Sequence, residues 1–262
     1  MVRNLRLAKL FWSIPAACAL LAALAGILWR DIYVGVFAAE FLPGALPQDV
    51  LTVIVSVSLF VLIFTVKEGE IRKQVVITGL VGSLFYLYGI LTMERVYNWC
   101  YLLYAAAFGS AFWSLVYSLG GFRPEAVATL TVPGGIRKTS ALSAIVIALS
   151  FTALWSLALV PLMRDHVRIE YLYSIYVLDL CFVMPAFFTT AVMSLRNRPF
   201  GTLMLPAIMI LGFFVIFPLG LNELAKPSAG LAANYVSMAF SFAFSGYMLF
   251  LAVAQLRALR LE

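Results

Sequence analysis

The chain has few charged residues: only 11% of its 262 residues are Asp, Glu, Lys or Arg, against about 25% in ordinary soluble domains. It has one histidine and three cysteines, with no Cys-x-x-Cys pair, so ligand sets for haem, an iron–sulfur cluster or structural zinc are missing. Walker, Gly-x-Ser-x-Gly, His-Glu-x-x-His and glycine-rich dinucleotide motifs are also absent. We therefore expect no cofactor and no metal.

Apolar residues instead make up 64% of the chain, against roughly 45–50% in a soluble domain. A soluble fold of this length cannot bury so much apolar surface, so we expect lipid to be a large part of the solvent. This excludes a soluble enzyme, a disordered chain and a disulfide scaffold, since the cysteines lie in apolar runs. The net charge of +6 follows a topological pattern, which argues against nucleic acid as a partner.

Long apolar runs predict an all-α integral membrane protein, a bundle of eight transmembrane helices. Each run has about the 20 residues that a span needs. The runs fill most of the chain, so we expect a single transmembrane domain over residues 1–262 and no soluble domain. The predicted spans are residues 9–29, 49–67, 75–93, 97–118, 141–162, 171–195, 201–221 and 231–256.

The basic residues predict the orientation of these spans. Of the 18 Lys and Arg residues, 13 lie at the termini and in the second, fourth and sixth connections, and 5 lie in the others. Because Lys and Arg are retained on the cytoplasmic side, both termini are expected in the cytoplasm. The run after Lys9 also resembles a signal peptide. However, it is longer than a typical signal-peptide core, so we interpret it as a retained first helix.

Two connections are longer than turns. Residues 30–48 are rich in apolar residues and predict a short interfacial helix before the second span. Residues 119–140 are interrupted by Pro124 and Pro133 and are interpreted as a flexible surface loop. Small residues at four-residue spacing predict helix packing seams. The seam residues are Ala233, Ser237, Ser241 and Ser245 on the last span, Ala106, Ser110 and Ser114 on the fourth, and Ala19 and Ala23 on the first.

Asp179 is the most informative polar residue, because it lies near the middle of the sixth predicted span. A charged side chain there costs at least about 2.5–3.5 kcal/mol on insertion scales, so it should face the bundle interior or water. Tyr173, Tyr176 and Asp179 follow at three-residue steps and share one helical face. We expect either a ligand- or proton-handling role or a structural one, in which Asp179 bonds to a tyrosine or pairs with Arg95.

Other polar residues gather in the same outer half of the bundle and predict an outward-facing pocket lined by acids and tyrosines. Two alternatives stay open: the tyrosines suit an interfacial aromatic belt, and Asp49 suits the N-cap of its helix. Glu94 and Arg95 are adjacent and should therefore have separate partners. The predicted ligand-binding residues are Asp179, Tyr176, Tyr173, Asp49, Asn98, Tyr101, Tyr104, Glu94 and Arg95.

Several short motifs occur in a characteristic order. They are Gln48-Asp49-Val50-Leu51-Thr52, Tyr97-Asn98, Tyr176-Val177-Leu178-Asp179-Leu180 followed by Pro185, and Arg196-Asn197-Arg198-Pro199-Phe200-Gly201. Over roughly residues 45–205 this order is similar to a family of uncharacterised prokaryotic multi-pass membrane proteins, although Phe200 stands where Trp is expected. The resemblance implies eight spans, a prokaryotic cytoplasmic (inner) membrane and a grouping of Asp49, Asn98 and Asp179. It implies no activity.

Three functions fit these observations. The first is binding or transport of a small molecule, cation or lipid, since acids and tyrosines suit an amine or a lipid headgroup. The second is an accessory or sensor subunit, which packs against a membrane protein partner or a second copy. The third is a lipid-modifying enzyme in which Asp179 is the acid or base, with a second group within hydrogen-bond reach. Membrane lipids are expected partners in each case.

Overall fold

Within residues 2–261, which the computed structural model describes, the chain is mainly α-helical. Eight helical segments in this part of the chain are long and apolar enough to cross a membrane. The prediction of an all-α integral membrane protein with eight spans is therefore confirmed.

The elements follow one another with short connections. The spans are α1 (Leu5–Leu28), α2 (Leu42–Thr65), α3 (Ile71–Met93), α4 (Tyr101–Gly121), α6 (Gly134–Arg164), the pair α7 (Tyr173–Leu178) and α8 (Met184–Leu195), α9 (Pro199–Ala225) and α10 (Tyr235–Ala258). A π-helical turn, Asp179–Val183, joins α7 to α8 within the sixth span. The remaining elements are a 3-10 turn (Arg30–Tyr33), the short helix α5 (Pro124–Ala128), a second 3-10 turn (Lys226–Ala229) and strands β1 (Leu130–Thr131) and β2 (Arg260–Leu261).

The second span begins earlier than the apolar pattern indicated. Helix α2 starts at Leu42 rather than at residue 49, with Pro43 in its first turn, where the missing N–H costs no helical hydrogen bond. The interpretation of Asp49 as an N-cap is therefore wrong, since the residue lies inside the helix. The expected interfacial helix over residues 30–48 is instead the 3-10 turn Arg30–Tyr33 followed by the first turns of α2.

The connection over residues 119–140 is ordered, so its interpretation as a flexible loop is wrong. It contains α5, β1 and the first turns of α6, which begins at Gly134 rather than at residue 141. Strand β1 pairs antiparallel with β2, so that Leu130 lies opposite Leu261. Two residues give no visible strand pattern, and their partner lies far along the chain, which is why the sequence does not reveal this pairing.

Further contacts join the two termini to this connection. Val2 bridges Phe122, and Arg72 donates a hydrogen bond to the Leu259 carbonyl at 2.6 Å. Leu130 and Leu259 are buried beneath these contacts. Both termini therefore lie at the same end of the bundle, which is called the closed end below.

Helices α3 and α9 are central, since 72% and 56% of their membrane-spanning windows are buried, against 11% for α6. The seam on α10 has Ser241 and Ser245 buried, and this helix packs on α9. On α4 the predicted seam is right at Ser114, which is buried, and wrong at Ala106, which is exposed while its neighbour Ala107 is buried. Ser114, at the same face, donates to the Phe11 carbonyl of α1 at 2.6 Å.

Candidate functional site

A cavity of about 210 Å³ lies at the end of the bundle opposite the closed end. It is bounded by α2, α3 and α9 and by the segments that precede α2 and α7. Most of its wall is apolar or aromatic, including Phe37, Phe41 and Phe214. Its polar wall consists of tyrosine hydroxyls and of Gln48, Asp49, Glu94 and Asn222.

Asp49 is held at the cavity wall by Tyr33. Only 7% of Asp49 is exposed, and the Tyr33 hydroxyl donates to its carboxylate at 2.9 and 3.0 Å from the two oxygens. Burial raises the pKa of Tyr33, and the Asp49 carboxylate raises it further, so the hydroxyl remains protonated and available as a donor. Gly26 of α1 faces this pair, and a Cβ there would overlap Asp49 Oδ2 and the Tyr33 hydroxyl. The absence of a side chain at Gly26 therefore makes this contact feasible.

Asn98 does not line the cavity, but it forms hydrogen bonds to a residue next to Tyr33 and to Tyr104. Its amide nitrogen donates to the Tyr104 hydroxyl at 3.0 Å and to the Ile32 carbonyl at 3.2 Å, and its oxygen accepts from the Cys100 backbone N–H at 2.9 Å. Tyr104 is almost fully buried and lines the cavity. Asn98 thus ties the start of α4 to the 3-10 turn that carries Tyr33.

Glu94 follows the last residue of α3 and lines the cavity. Its Oε1 accepts hydrogen bonds from the backbone N–H of Ser174, at 2.9 Å, and from the Ser174 hydroxyl. Its Oε2 is buried and has no hydrogen-bond partner. The neighbouring Arg95 turns away, and its guanidinium lies 5.9 Å from the centre of the Tyr173 ring. Glu94 and Arg95 therefore have separate partners, as expected from their adjacency.

Asn222, near the end of α9, contributes a second acceptor. Its Nδ2 donates to the Glu40 carbonyl at 3.3 Å, while its Oδ1 is buried without a hydrogen-bond partner. Gly44 of α2 packs against this amide, and a Cβ there would lie 2.5 Å from Oδ1. Asn222 and Glu94 both line the cavity. Asn222 Oδ1 and Glu94 Oε2 are therefore two unpaired acceptors of the same site.

Asp179 belongs to a neighbouring group of side chains. It is 2% exposed, and its Oδ2 accepts from the Trp155 indole N–H at 2.7 Å, while Oδ1 has no hydrogen-bond partner. Trp155 packs edge-to-face on Tyr176, with ring centres 5.4 Å apart. The Tyr86 hydroxyl lies near the Asp179 carboxyl group. Since Tyr86 also lines the cavity, it stands between the cavity and Asp179.

The structure thus separates the predicted site residues into two sets. Asp49, Glu94 and Tyr104 line the cavity, whereas Asp179, Tyr176, Tyr173, Asn98, Tyr101 and Arg95 do not. The Tyr101 hydroxyl donates to the Thr92 carbonyl at 3.2 Å. The predicted set did not include Tyr33, Gln48 and Asn222, which do line the cavity. Gln48 adjoins Asp49, and Asn222 ends a span on the same side, but no sequence pattern links Tyr33 to Asp49.

The cavity wall carries acidic groups without a basic counterpart. Within residues 2–261, its charged residues are Asp49 and Glu94, and no Lys, Arg or His lines it. Over the same residues, no group of three His, Cys, Asp or Glu side chains is placed to hold a metal ion. Chemically, the site therefore offers carboxylate and amide acceptors in front of an apolar, aromatic wall.

No protein-family model, curated protein or solved structure matches this chain. The resemblance to a prokaryotic membrane protein family stays a prediction. The fold and the site together define a multi-pass membrane protein with an acidic cavity at one end.

Proposed function

We propose that this membrane protein binds an amphiphilic small molecule or lipid in the cavity at the end opposite its termini. The observation that supports this most strongly is the cavity itself, with a volume of about 210 Å³. Protein interiors contain few voids larger than a water molecule, and ligand sites are typically concave and apolar with a few polar groups. The wall described above has this composition.

Access from one side supports the same proposal. Tyr171, Leu172 and Leu219 line the cavity and are 50%, 39% and 48% exposed, so the cavity reaches the protein surface. The closed end carries the loops and termini with 13 of the 18 basic residues, which favours the cytoplasmic side of a prokaryotic inner membrane for that end. The cavity would then open to the outside.

Binding is favoured over transport by the closed end. Release on that side would require β1 to separate from β2 and Val2 to leave Phe122. It would also require the Arg72 bond to the Leu259 carbonyl to break.

The test is a substitution that fills the cavity. Ala45 is 8% exposed and lines the cavity, so Ala45→Leu places a larger side chain inside it. Native mass spectrometry of protein extracted in mild detergent should detect one retained molecule per chain. We expect Ala45→Leu to weaken binding of this molecule at least tenfold, which corresponds to about 1.4 kcal/mol, and so to lower the fraction of chains that retain it.

The matched control is Ala153→Leu, the same substitution at an exposed position of α6. It should leave occupancy unchanged, and both variants should be checked for a normal thermal unfolding midpoint. If Ala45→Leu retains the same molecule in the same amount, the cavity is not its site and the proposal is wrong.

A further inference from the structure

We infer that the ligand is an organic ammonium ion with N–H donors and an apolar body, bound by Glu94 Oε2 and Asn222 Oδ1. This inference rests on the proposed function and names the chemistry of its ligand. The supporting observations are the unpaired acceptors, the acidic groups of the wall and its aromatic side chains.

The first step concerns the carboxylate of Glu94. One oxygen is already saturated by two donors from Ser174, so the side chain is fixed in position. The other oxygen is buried without a hydrogen-bond partner, which costs free energy because buried polar groups are normally paired. A donor in the cavity would remove that cost without moving Glu94.

The second step concerns the amide of Asn222. Its orientation is set by the bond from Nδ2 to the Glu40 carbonyl, because a flipped amide would place two oxygens against each other. Oδ1 is therefore the free atom, and it is an acceptor. Gly44 packs against this buried oxygen without a side chain, and a Cβ there would lie 2.5 Å from it. Glu94 Oε2 and Asn222 Oδ1 are both acceptors, so a ligand that pairs with them has to carry hydrogen-bond donors.

The charge of the cavity wall favours a cationic ligand. The described part of the wall contains carboxylates and no basic residue, and the nearby cations are engaged elsewhere. Arg95 lies over Tyr173, and Lys226 pairs with Glu223 at 2.5 Å. Buried carboxylates without a cation are unfavourable, so a positively charged ligand complements the site.

The fourth step separates an organic cation from a metal ion. No three acidic, Cys or His side chains of residues 2–261 converge to coordinate a metal. Aromatic side chains instead line the same cavity, among them Tyr33, Tyr86, Tyr88 and Phe37. Ring faces attract organic ammonium groups and bury their apolar parts. The occupant is accordingly an amine with hydrocarbon attached, either a free molecule or a lipid with an ethanolamine headgroup.

The experiment uses the full chain in phosphatidylglycerol nanodiscs and four probes with one common body. These are 2-phenylethylamine, its N,N,N-trimethyl derivative, 2-phenylethanol and 3-phenylpropionate, each titrated calorimetrically at neutral pH. We expect the primary amine to bind at least tenfold more tightly than the other three. If charge alone governed binding, the trimethyl derivative would bind as tightly as the primary amine. If hydrogen bonding alone governed it, the alcohol would bind as tightly as the amine. The inference requires both properties.

Two variants of the chain test the acceptors. Glu94→Gln keeps an oxygen for Ser174 but removes the charge, and should weaken binding of the amine at least tenfold while leaving the alcohol unchanged. Asn222→Asp adds a carboxylate at the second acceptor and should strengthen binding of the amine. Glu170→Gln, which alters an exposed acid before α7, is the matched control and should change nothing.

Adding phosphatidylethanolamine to the nanodiscs distinguishes the two sources of the ligand. A weaker apparent affinity for the amine identifies the lipid headgroup as its competitor, and an unchanged affinity identifies a free amine. The inference would be overturned if the alcohol bound as tightly as the amine and Glu94→Gln had no effect. If Ala45→Leu still abolished that binding, the proposed function would stand. If none of the four probes binds, the inference is wrong, and the proposed function then depends on the mass-spectrometric result alone.

Discussion

The buried carboxylates of this protein are bonded to neutral donors rather than to cations. Asp49 accepts from the Tyr33 hydroxyl, and Asp179 accepts from the Trp155 indole. A buried acid normally has a cationic partner because the desolvation cost of a carboxylate is large. At the scale of single residues, the bond between Asp49 and Tyr33 therefore requires α1 to leave space for both side chains. Gly26 leaves that space because it has no side chain.

Replacing Gly26 tests this dependence. In Gly26→Ala, the new methyl group would overlap Asp49 Oδ2 and the Tyr33 hydroxyl, so one of them has to move. Overpacking of this kind typically costs about 1–3 kcal/mol. We expect a clearly lower midpoint of thermal unfolding in detergent micelles.

Gly109→Ala is the control, since a Cβ at this position of α4 meets no atom within 4 Å. Alanine is favoured over glycine inside a helix by roughly 0.5–1 kcal/mol, so this variant should unfold at the same temperature or slightly higher. Equal midpoints for both alanine variants would show that Gly26 is not needed for the contact between Tyr33 and Asp49.

Part of the site follows from the sequence at this scale. Asp49, Glu94 and Tyr104 were predicted to lie together, because the ends of successive spans alternate between the two sides of a membrane. Tyr33 and Gly26 could not be predicted as members, since their positions depend on how α1 and the following 3-10 turn pack against α2. Such packing is decided by atomic overlap, which periodicity does not encode.

At the scale of the elements, the sixth span departs from regular geometry at Asp179. The π-helical turn Asp179–Val183 places one more residue in a turn than an α-helix would. Its exposed side includes Cys181, and its buried residues are Asp179 and Val183. The sixth span therefore holds one residue more between α7 and α8 than a regular α-helix would.

Deletion of a single residue tests this interpretation. Deleting Cys181 should convert the π-helical turn into an α-helical one and leave both flanking segments nearly in register. Deleting the exposed Phe188 from regular α8 should rotate the following residues by about 100° and disrupt packing. We expect the Cys181 deletion to retain a folded, monodisperse protein in size-exclusion chromatography after heating to temperatures at which the Phe188 deletion aggregates.

If both deletions aggregate at the same temperature, the π-helical turn does not accommodate the loss of a residue.

The sequence identified this span and the depth of Asp179, since both follow from hydropathy. It did not identify the π-helical turn, because Asp-Leu-Cys-Phe-Val carries no residue that forces a wider turn. Nor did it reveal the start of α2 at Leu42, because Pro43 and Pro47 resemble loop residues.

At the scale of the whole molecule, charge differs between the two ends of the bundle. The closed end gathers most of the basic residues, and the cavity end holds Asp49, Glu94 and Asp179. The number of spans was predictable because it depends on composition summed over about 20 residues. A pocket lined by acids and tyrosines was also predicted from the sequence, but most of the residues that line the cavity were not, because they depend on where eight helices leave space between them.

Reporter fusions test the proposed orientation in a bacterial host. Green fluorescent protein at the C-terminus should fluoresce, since that end is expected in the cytoplasm. Alkaline phosphatase inserted after Gly230, in the exposed connection before α10, should be active because it lies outside. Exchanging the two reporters is the control and should abolish both signals.

The opposite pattern would place the cavity on the cytoplasmic side. It would leave the binding site intact but change the compartment that supplies its ligand. The amine probes would then have to cross the membrane to reach the site in cells.

The pairing of β1 with β2 has a consequence for biogenesis. Strand β1 leaves the ribosome about 130 residues before β2, and β2 follows every one of the eight spans. The contact of Val2 with Phe122 can form while later helices are still being inserted, whereas β1 has to wait for its partner. A nascent bundle consequently keeps β1 unpaired at the closed end until the last helix has been made and inserted.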